Sequence, residues 1–509
     1  MPRVVLIHPP VTIPSEPPAG IARLSHVLSR QGVPCALIDA NLAGLTQILL
    51  GSAHGEKYTG AIRRGTAFRS MDHYRLTVHR LNRILTPPDR HPWRLTLANY
   101  RHHDRIPVRS ADLIRQSEHP EDNPFFAYYE DGLLPGLESQ APDIIGISLL
   151  YLTQALCAFA LIGCIRRRFP EIRIVLGGGL ITSWMSAPDW RDPFAGLVDA
   201  CISGPGESAL LALTKAGPAG RGTEKPDYRP LPVQTYLSPG FVLPAVTSSG
   251  CYWRRCTFCP ERAEGGAFRP FPAEAVRSGL REDVERFSPA LVHFLDNAVP
   301  PKTLAHFTAH PPGVPWYGYS RLEPHLDDPD FCSALHKSGC VMLQLGLESG
   351  SANVLERMEK GISLDRVPRI LTHLKNAGIA TYLYLLFGTP AETEADAQLT
   401  RDFVLRHADK IGFINPALFN LPRHSPETAA LRTRSFYDGD LSLYVDFEHP
   451  AGWHRRTVRR FLQSDFGKHP VIARILHRTP PEFTSTHAPF FLENFRPVLP
   501  RSIQPGTRN

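Results

Sequence analysis

Three cysteines of the 509-residue chain, Cys251, Cys256 and Cys259, lie within nine residues of one another in the run GCYWRRCTFCP at 250–260. Thiolates are soft ligands suited to zinc or to iron–sulfur clusters. A structural zinc site needs a fourth ligand, for which only Cys332 or Cys340 stands downstream. Three ligands on a four-iron cluster leave one iron open, and an open iron can chelate a substrate and pass it an electron at low potential. The chain has nine cysteines in all. An odd number with one tight group suits a metal or redox site inside the cell, not a disulfide framework.

The elements around this loop follow from periodicity. Strand candidates fall at 242–248, 291–296, 314–320, 341–347, 380–387 and 411–418, separated by helical stretches at 272–287, 351–377 and 393–408. Six beta-alpha units make an incomplete barrel, and the cysteine loop directly follows its first strand, at the end of a barrel where chemistry collects. Upstream, strands at 3–8, 35–39, 143–150, 172–176 and 197–202 alternate with helices. That alternation implies a parallel sheet with right-handed crossovers. The expected organisation is an α/β chain: a Rossmann-like domain at 1–225 with a helical insertion at about 42–135, a Gly/Pro-rich linker at 226–241, a partial (β/α)6 barrel at 242–425, and a small C-terminal extension or cap at 426–509.

At the cysteine loop the chain resembles the radical S-adenosylmethionine (SAM) superfamily, and the likeness runs over residues 240–425. It is carried further by FLDNAVPP at 294–301, YGYSRLEP at 317–324, LQLGLESGSANVLERMEKG at 343–361 and LLFGTPAETEADA at 385–397, each at the end of a barrel strand. The common spacing puts three residues between the first two cysteines; here there are four. The resemblance implies a 4Fe-4S cluster on Cys251, Cys256 and Cys259 whose open iron holds the amino and carboxylate groups of SAM, which one electron cleaves to a 5′-deoxyadenosyl radical. It further implies that Phe258 lies near the adenine and that Glu348 and Ser349 face the ribose or methionyl group. Gly346 would allow close approach, and Arg321 would meet the carboxylate. Asp296 and Asn297 stand where many relatives carry a Gly-Gly-Glu turn that receives the methionyl amine.

In the first domain, Ser148, Leu149 and Leu150 end one strand and Gly177, Gly178 and Gly179 end the next. This resembles the Ser-x-Leu and Gly-Gly elements of cobalamin-binding domains, where they surround the nucleotide tail. Ser148, Leu150, Gly177, Gly178 and Gly179 are thereby the candidate cobalamin contacts. The Asp-x-His-x-x-Gly element that supplies an axial histidine is missing: DANLAG at 39–44 follows the second strand and has Asn41 in the histidine's place, and His8 reads as a loop residue. A cobalamin-like domain followed by this barrel resembles the cobalamin-dependent radical SAM class, which implies cobalamin held without a protein nitrogen on cobalt. The implied activity is methyl transfer to an unactivated centre. Cyclisation, rearrangement or oxidation on the same architecture is the alternative, and a non-catalytic cobalamin- or zinc-binding regulatory protein is the reading from another class. The radical methylthiotransferases share the layout but carry a second cysteine triad in the first domain; Cys35, Cys157, Cys164 and Cys201 are scattered instead in apolar contexts.

Composition bounds the rest. Apolar residues are 42% and charged residues 21%, the usual globular mix. No apolar run reaches the roughly 18 residues that a span requires, so a cytoplasmic protein is expected. The net charge of +7 comes from the segment 56–115, where 13 Lys and Arg face 5 Asp and Glu. That pattern reads as a solvated helical face, not a nucleic-acid grip. The expected partners are a small-molecule or peptide substrate and an electron donor such as flavodoxin or ferredoxin. The sequence does not identify a catalytic residue or the substrate.

Overall fold

The computed structural model describes residues 2–86, 91–218, 225–481 and 488–492. The described residues fold into two compact units, the first drawn from 2–64, 75–238 and 437–443 and the second from 65–74, 239–436 and 444–492.

The first unit is built on five parallel strands, β1 (Val4–His8), β2 (Cys35–Asp39), β3 (Ile144–Ser148), β4 (Arg173–Gly177) and β5 (Ala200–Cys201), in the order β2-β1-β3-β4-β5. Their apolar side chains pack with Ile21, Val27 and Leu28 of helix Ala19–Arg30 and with Leu210 and Leu211 of helix Glu207–Leu213. Helix Leu152–Arg168 is buried from Gln154 to Ile165, as its unbroken apolar run requires. In this 2-1-3-4-5 order the connections leave β1 in opposite directions, so the carboxyl ends of β1 and β3 flank a topological switch point, where open α/β sheets bind ligands. The insertion contains helices Ala40–Leu50, Gly55–Arg63 and Met71–Leu85, and also a two-stranded ladder, Trp93–Leu95 with Tyr100–His102, that helical periodicity did not anticipate. Residues 437–443 belong to this unit because the Leu441 amide donates to the Val108 carbonyl at 3.0 Å and the Ser110 amide to Asp440 Oδ1 at 2.9 Å.

The second unit carries six parallel strands in sequence order, β6 (Val242–Ala245), β7 (Leu291–Phe294), β8 (Trp316–Ser320), β9 (Cys340–Glu348), β10 (Ala380–Phe387) and β11 (Phe413–Leu418). One core cluster joins Val242, Leu291, Tyr317, Met342, Tyr382 and Phe413, one from each strand, with Leu492. Alternation from these residues fixes which positions face the lumen. Residues 65–74 join this unit through aromatic packing, with the Phe68 ring 4.9 Å and the Tyr74 ring 5.3 Å from Phe490. A three-stranded antiparallel sheet of Leu421–Pro422, Thr433–Ser435 and Tyr444–Phe447 follows the barrel. No helix among the described residues is long and apolar enough to cross a membrane.

Candidate active site

The cysteine loop leaves the end of β6 through a short ladder, Ser248–Ser249 paired with Arg269–Pro270. Two aromatics beside Cys251 fasten it to the ends of later strands. The Tyr252 hydroxyl donates to Glu323 Oε1 at 2.9 Å, and the Trp253 indole donates to the Glu359 carbonyl at 2.8 Å. The Arg321 guanidinium lies 4.3 Å from the Trp253 ring centre, a cation–π contact. The Thr257 amide donates to the Met358 carbonyl at 3.1 Å. Phe258 packs against the buried cluster of Val354, Met358 and Ala391, as Leu386 does, with the Lys360 ammonium 5.6 Å from the Phe258 ring centre.

Cys251, Cys256 and Cys259 thus hang on one loop held from several sides. Burial raises the Cys256 thiol, and the Lys360 and Arg321 charges pull it down. Burial raises Cys259 as well, against backbone N–H groups of Glu261 and Arg262 aimed at its sulfur. Each of these two thiols is also raised by its neighbours in the triad. No group of three His, Cys, Asp or Glu side chains among the described residues is gathered tightly enough to hold a single ion. A cubane presents its irons at separate corners and asks for wider thiol spacing than one zinc ion. Three thiols on one loop, with N–H groups toward Cys259 and two cations beside Cys256, fit an iron–sulfur cluster.

Beyond the loop lies a buried ion pair, Lys360 Nζ to Glu348 Oε1 at 2.7 Å. Glu348 ends β9 after a bulge at Gly346 and has φ +65°. A non-glycine residue in that region is strained by about 1–3 kcal/mol, and such strain concentrates at functional positions. A Cβ on Gly346 would fall 2.5 Å from Glu348 Oε1 and 2.6 Å from Lys360 Nζ; the glycine makes room for the pair.

The expected SAM contacts divide into two groups. Phe258, Gly346 and Glu348 meet around Lys360, and Asn297, just after β7, is exposed. Asp296, by contrast, is 3% exposed and spends its carboxylate on the Thr247 amide at 2.9 Å, the Thr247 hydroxyl at 2.8 Å and the Ser248 hydroxyl at 2.6 Å. It clamps the exit of β6. Arg321 is occupied by Glu323, the Lys360 carbonyl and Trp253. Ser349 is fully buried, with its Oγ 3.2 Å from Thr400 Oγ1. All three are engaged by the protein's own groups. Sequence reasoning missed Lys360, Glu323 and Trp253; all lie inside the quoted motifs, but only the fold shows which acid each base meets.

At the sheet of the first unit, Ser148 and Gly177 are register partners at the ends of β3 and β4. Gly178 has φ +102°, and a Cβ there would fall 2.3 Å from the Leu149 carbonyl oxygen. The protein's own backbone therefore demands glycine, whatever lies above it. Gly177 and Gly179 have no atom nearer than 3.9 Å to such a Cβ, so they leave a floor that a ligand can approach. Leu150 is half-buried and its amide donates to Gln154 Oε1 at 2.9 Å. Asn41 pins the loop after β1, accepting from the Thr12 amide at 3.0 Å and donating to its carbonyl at 3.1 Å. Asp39 caps helix Ala40–Leu50 and accepts from the Tyr236 hydroxyl at 2.7 Å; its run is structural. His8 closes β1, buried and shifted toward the neutral form by desolvation, with Nε2 3.0 Å from Thr12 Oγ1 and no protein partner on Nδ1. An open glycine floor and a buried orphan nitrogen at the switch point fit a large, partly polar ligand such as cobalamin. Burial raises the Cys35 thiol to about 11 and those of Cys157, Cys164 and Cys201 to about 12, so these are inert core sulfurs.

Residues 246–404, from the exit of β6 to the helix after β10, match the model of the radical SAM superfamily. The chain carries a radical SAM domain. It is 26% identical over 174 residues to the bacteriochlorophyllide d C-12(1)-methyltransferase of Chlorobaculum tepidum, covering 33% of this chain and 38% of that one. It is 29% identical over 236 residues to the ribosomal protein uS12 methylthiotransferase RimO of Salinispora tropica, covering 42% and 46%. The matches thus span less than half of either relative. The fold is similar to that of the radical SAM methyltransferase TsrM from Kitasatospora setae, a structure with cobalamin and a 4Fe-4S cluster bound: TM-score 0.52 at 15% identity, over 86% of this chain and 82% of that one. It is also similar to that of the cobalamin-dependent SAM radical enzyme OxsB, with TM-score 0.51 at 16% identity, over 81% and 52%. At these identities the likeness concerns the fold, a Rossmann-like sheet followed by the partial barrel.

Proposed function

We propose that the protein is a cobalamin-dependent radical SAM enzyme that transfers a methyl group to an unactivated carbon of a small molecule or peptide. The observation that carries the reading is the placement of Cys251, Cys256 and Cys259 together on one braced loop at the end of β6, inside the matched radical SAM segment. When bound, the cluster supplies the electron that cleaves SAM, and cobalamin supplies a carrier for the methyl group. The chain's own residues bind, orient and shield. The three thiolates hold three irons. Asn297 receives the methionyl amine. Glu348, held out on a strained backbone and fixed by Lys360, faces the ribose or methionyl group, and Phe258 with Met358 and Leu386 forms an apolar wall for the adenine. Burial of Cys256, at 8% exposure, keeps water from the ligands. In the first unit, Ser148, Leu150, Gly177 and Gly179 line the cobalamin floor, and Gly178 keeps the turn beneath it.

Anaerobic reconstitution with iron, sulfide and cobalamin tests this assignment. Four irons per chain, a reduced-cluster paramagnetic signal that changes on SAM addition, and a cobalamin spectrum retained through gel filtration are expected. Protein that holds neither iron nor cobalamin refutes it.

A further inference from the structure

The lumen of the barrel, alongside Gly346, carries a polar group that the cluster and SAM do not use. Gln344 of β9 is fully buried, and its Nε2 donates to the Tyr384 hydroxyl at 3.2 Å. The Tyr319 hydroxyl donates to the same oxygen at 2.8 Å. With its nitrogen end on Tyr384, the carboxamide turns its carbonyl end away. That oxygen, Oε1, has no partner. A buried acceptor left unmet is costly and calls for an explanation.

The surroundings say what would meet it. Tyr384 is in register with Gly346 on one side and Asn415 on the other, and strand alternation puts Leu295, Tyr319 and Asn415 on the lumen face with them. Leu295 is 36% exposed; Tyr319, Tyr384 and Asn415 are half-buried. None of the five carries charge: burial pushes the Tyr384 hydroxyl up, so it stays protonated. The charges just beyond, Arg321 with Glu323 and Lys360 with Glu348, are closed on one another. An ionised group entering at this level would be buried without a counter-charge. Two phenol rings and an accessible leucine suit a flat apolar body.

We propose that this lumen is the substrate pocket and that Gln344 Oε1 selects an uncharged ring bearing a hydroxyl or N–H donor. The inference rests on the radical SAM reading of the barrel and deepens it. Gln344 is a specificity residue; Tyr319 and Tyr384 position it.

The test uses the reconstituted protein with SAM and no reductant, titrated with 4-cresol, toluene and 4-hydroxybenzoate by ligand-observed NMR. The probes share one ring and differ by the donor and by an added charge. We expect 4-cresol to bind about tenfold tighter than toluene, the worth of one buried hydrogen bond, and tighter than 4-hydroxybenzoate. Gln344→Met, which keeps the volume, should bring cresol and toluene within about threefold. Should that variant fail to fold, the order of the three probes on the unmodified protein decides. Equal binding of cresol and toluene, or no binding by any probe because a buried water alone satisfies the oxygen, overturns the proposal. Iron and SAM are counted in the same samples. Full loading without discrimination overturns this inference and leaves the enzyme assignment standing; discrimination in protein that binds neither does the reverse.

Discussion

Replacing Lys360 by methionine isolates the buried ion pair from the rest of the site. The Lys360 and Glu348 side chains are 8% and 12% exposed, so Lys360→Met leaves a carboxylate facing Gly346 without its cation, on a residue already strained at φ +65°. Breaking a buried pair from one side costs about 3–5 kcal/mol, whereas an exposed pair contributes about 0–1 kcal/mol. Removing both charges together relieves the orphaned carboxylate, so Glu348→Gln/Lys360→Met should lie within about 2 kcal/mol of the parent. The assay is denaturant unfolding of the iron-free protein, followed by circular dichroism, on the parent, both single variants and the double variant. In a thermal scan of a unit of this size the single Lys360→Met change amounts to a midpoint drop of roughly 6–20 °C, at about 2–4 °C per kcal/mol. A Lys360→Met variant losing less than about 1 kcal/mol, or a double variant no better than the single, would refute the claim that the charges are buried against each other.

Three further outcomes are expected. Cys256→Ala should abolish the reduced-cluster signal and 5′-deoxyadenosine formation, while Cys35→Ala and Cys164→Ala keep both; iron analysis with paramagnetic resonance decides. Gly178→Val should lower the thermal midpoint even without cobalamin, because its Cβ meets the Leu149 carbonyl at 2.3 Å, whereas Gly179→Ala should be tolerated. Glu392→Gln should flatten the pH dependence of unfolding. Glu392 is fully buried, accepting from the Gly388 amide and the Trp453 indole, with Oε1 unpartnered, and burial with help from Asp396 lifts it to about 7. The folded state thus holds a proton that the unfolded chain releases near pH 4.3, and stability falls as pH rises from about 4.3 to 7, by roughly 4 kcal/mol in total. Unfolding midpoints at pH 5 and 8 that shift equally for parent and variant would contradict this.

The barrel strands were legible because each is a short apolar run bounded by turn residues; β10 runs over residues 380–387, as its periodicity indicates. The cysteine triad was legible because three thiols in one loop have few other uses. The side-chain alliances were not. Asp296, Arg321 and Ser349 sit at strand ends where ligands bind, and nothing in their spacing reveals that Thr247, Glu323 and Thr400 claim them first. Gly178 read as room for a nucleotide tail, yet its positive φ and the Leu149 carbonyl already require it. The assignment of 65–74 and 437–443 to the other unit in each case depends on long-range packing, Phe68 on Phe490 and Leu441 on Val108, which no local pattern encodes.

The central claim, methyl transfer through two uses of SAM, is tested most directly by product counting. With cluster, cobalamin, reductant and a substrate that turns over, 5′-deoxyadenosine and S-adenosylhomocysteine should form in comparable amounts, and Glu348→Ala should depress both. Accumulation of 5′-deoxyadenosine with turnover while S-adenosylhomocysteine stays at background would contradict methyl transfer and point to cyclisation, rearrangement or oxidation on the same barrel.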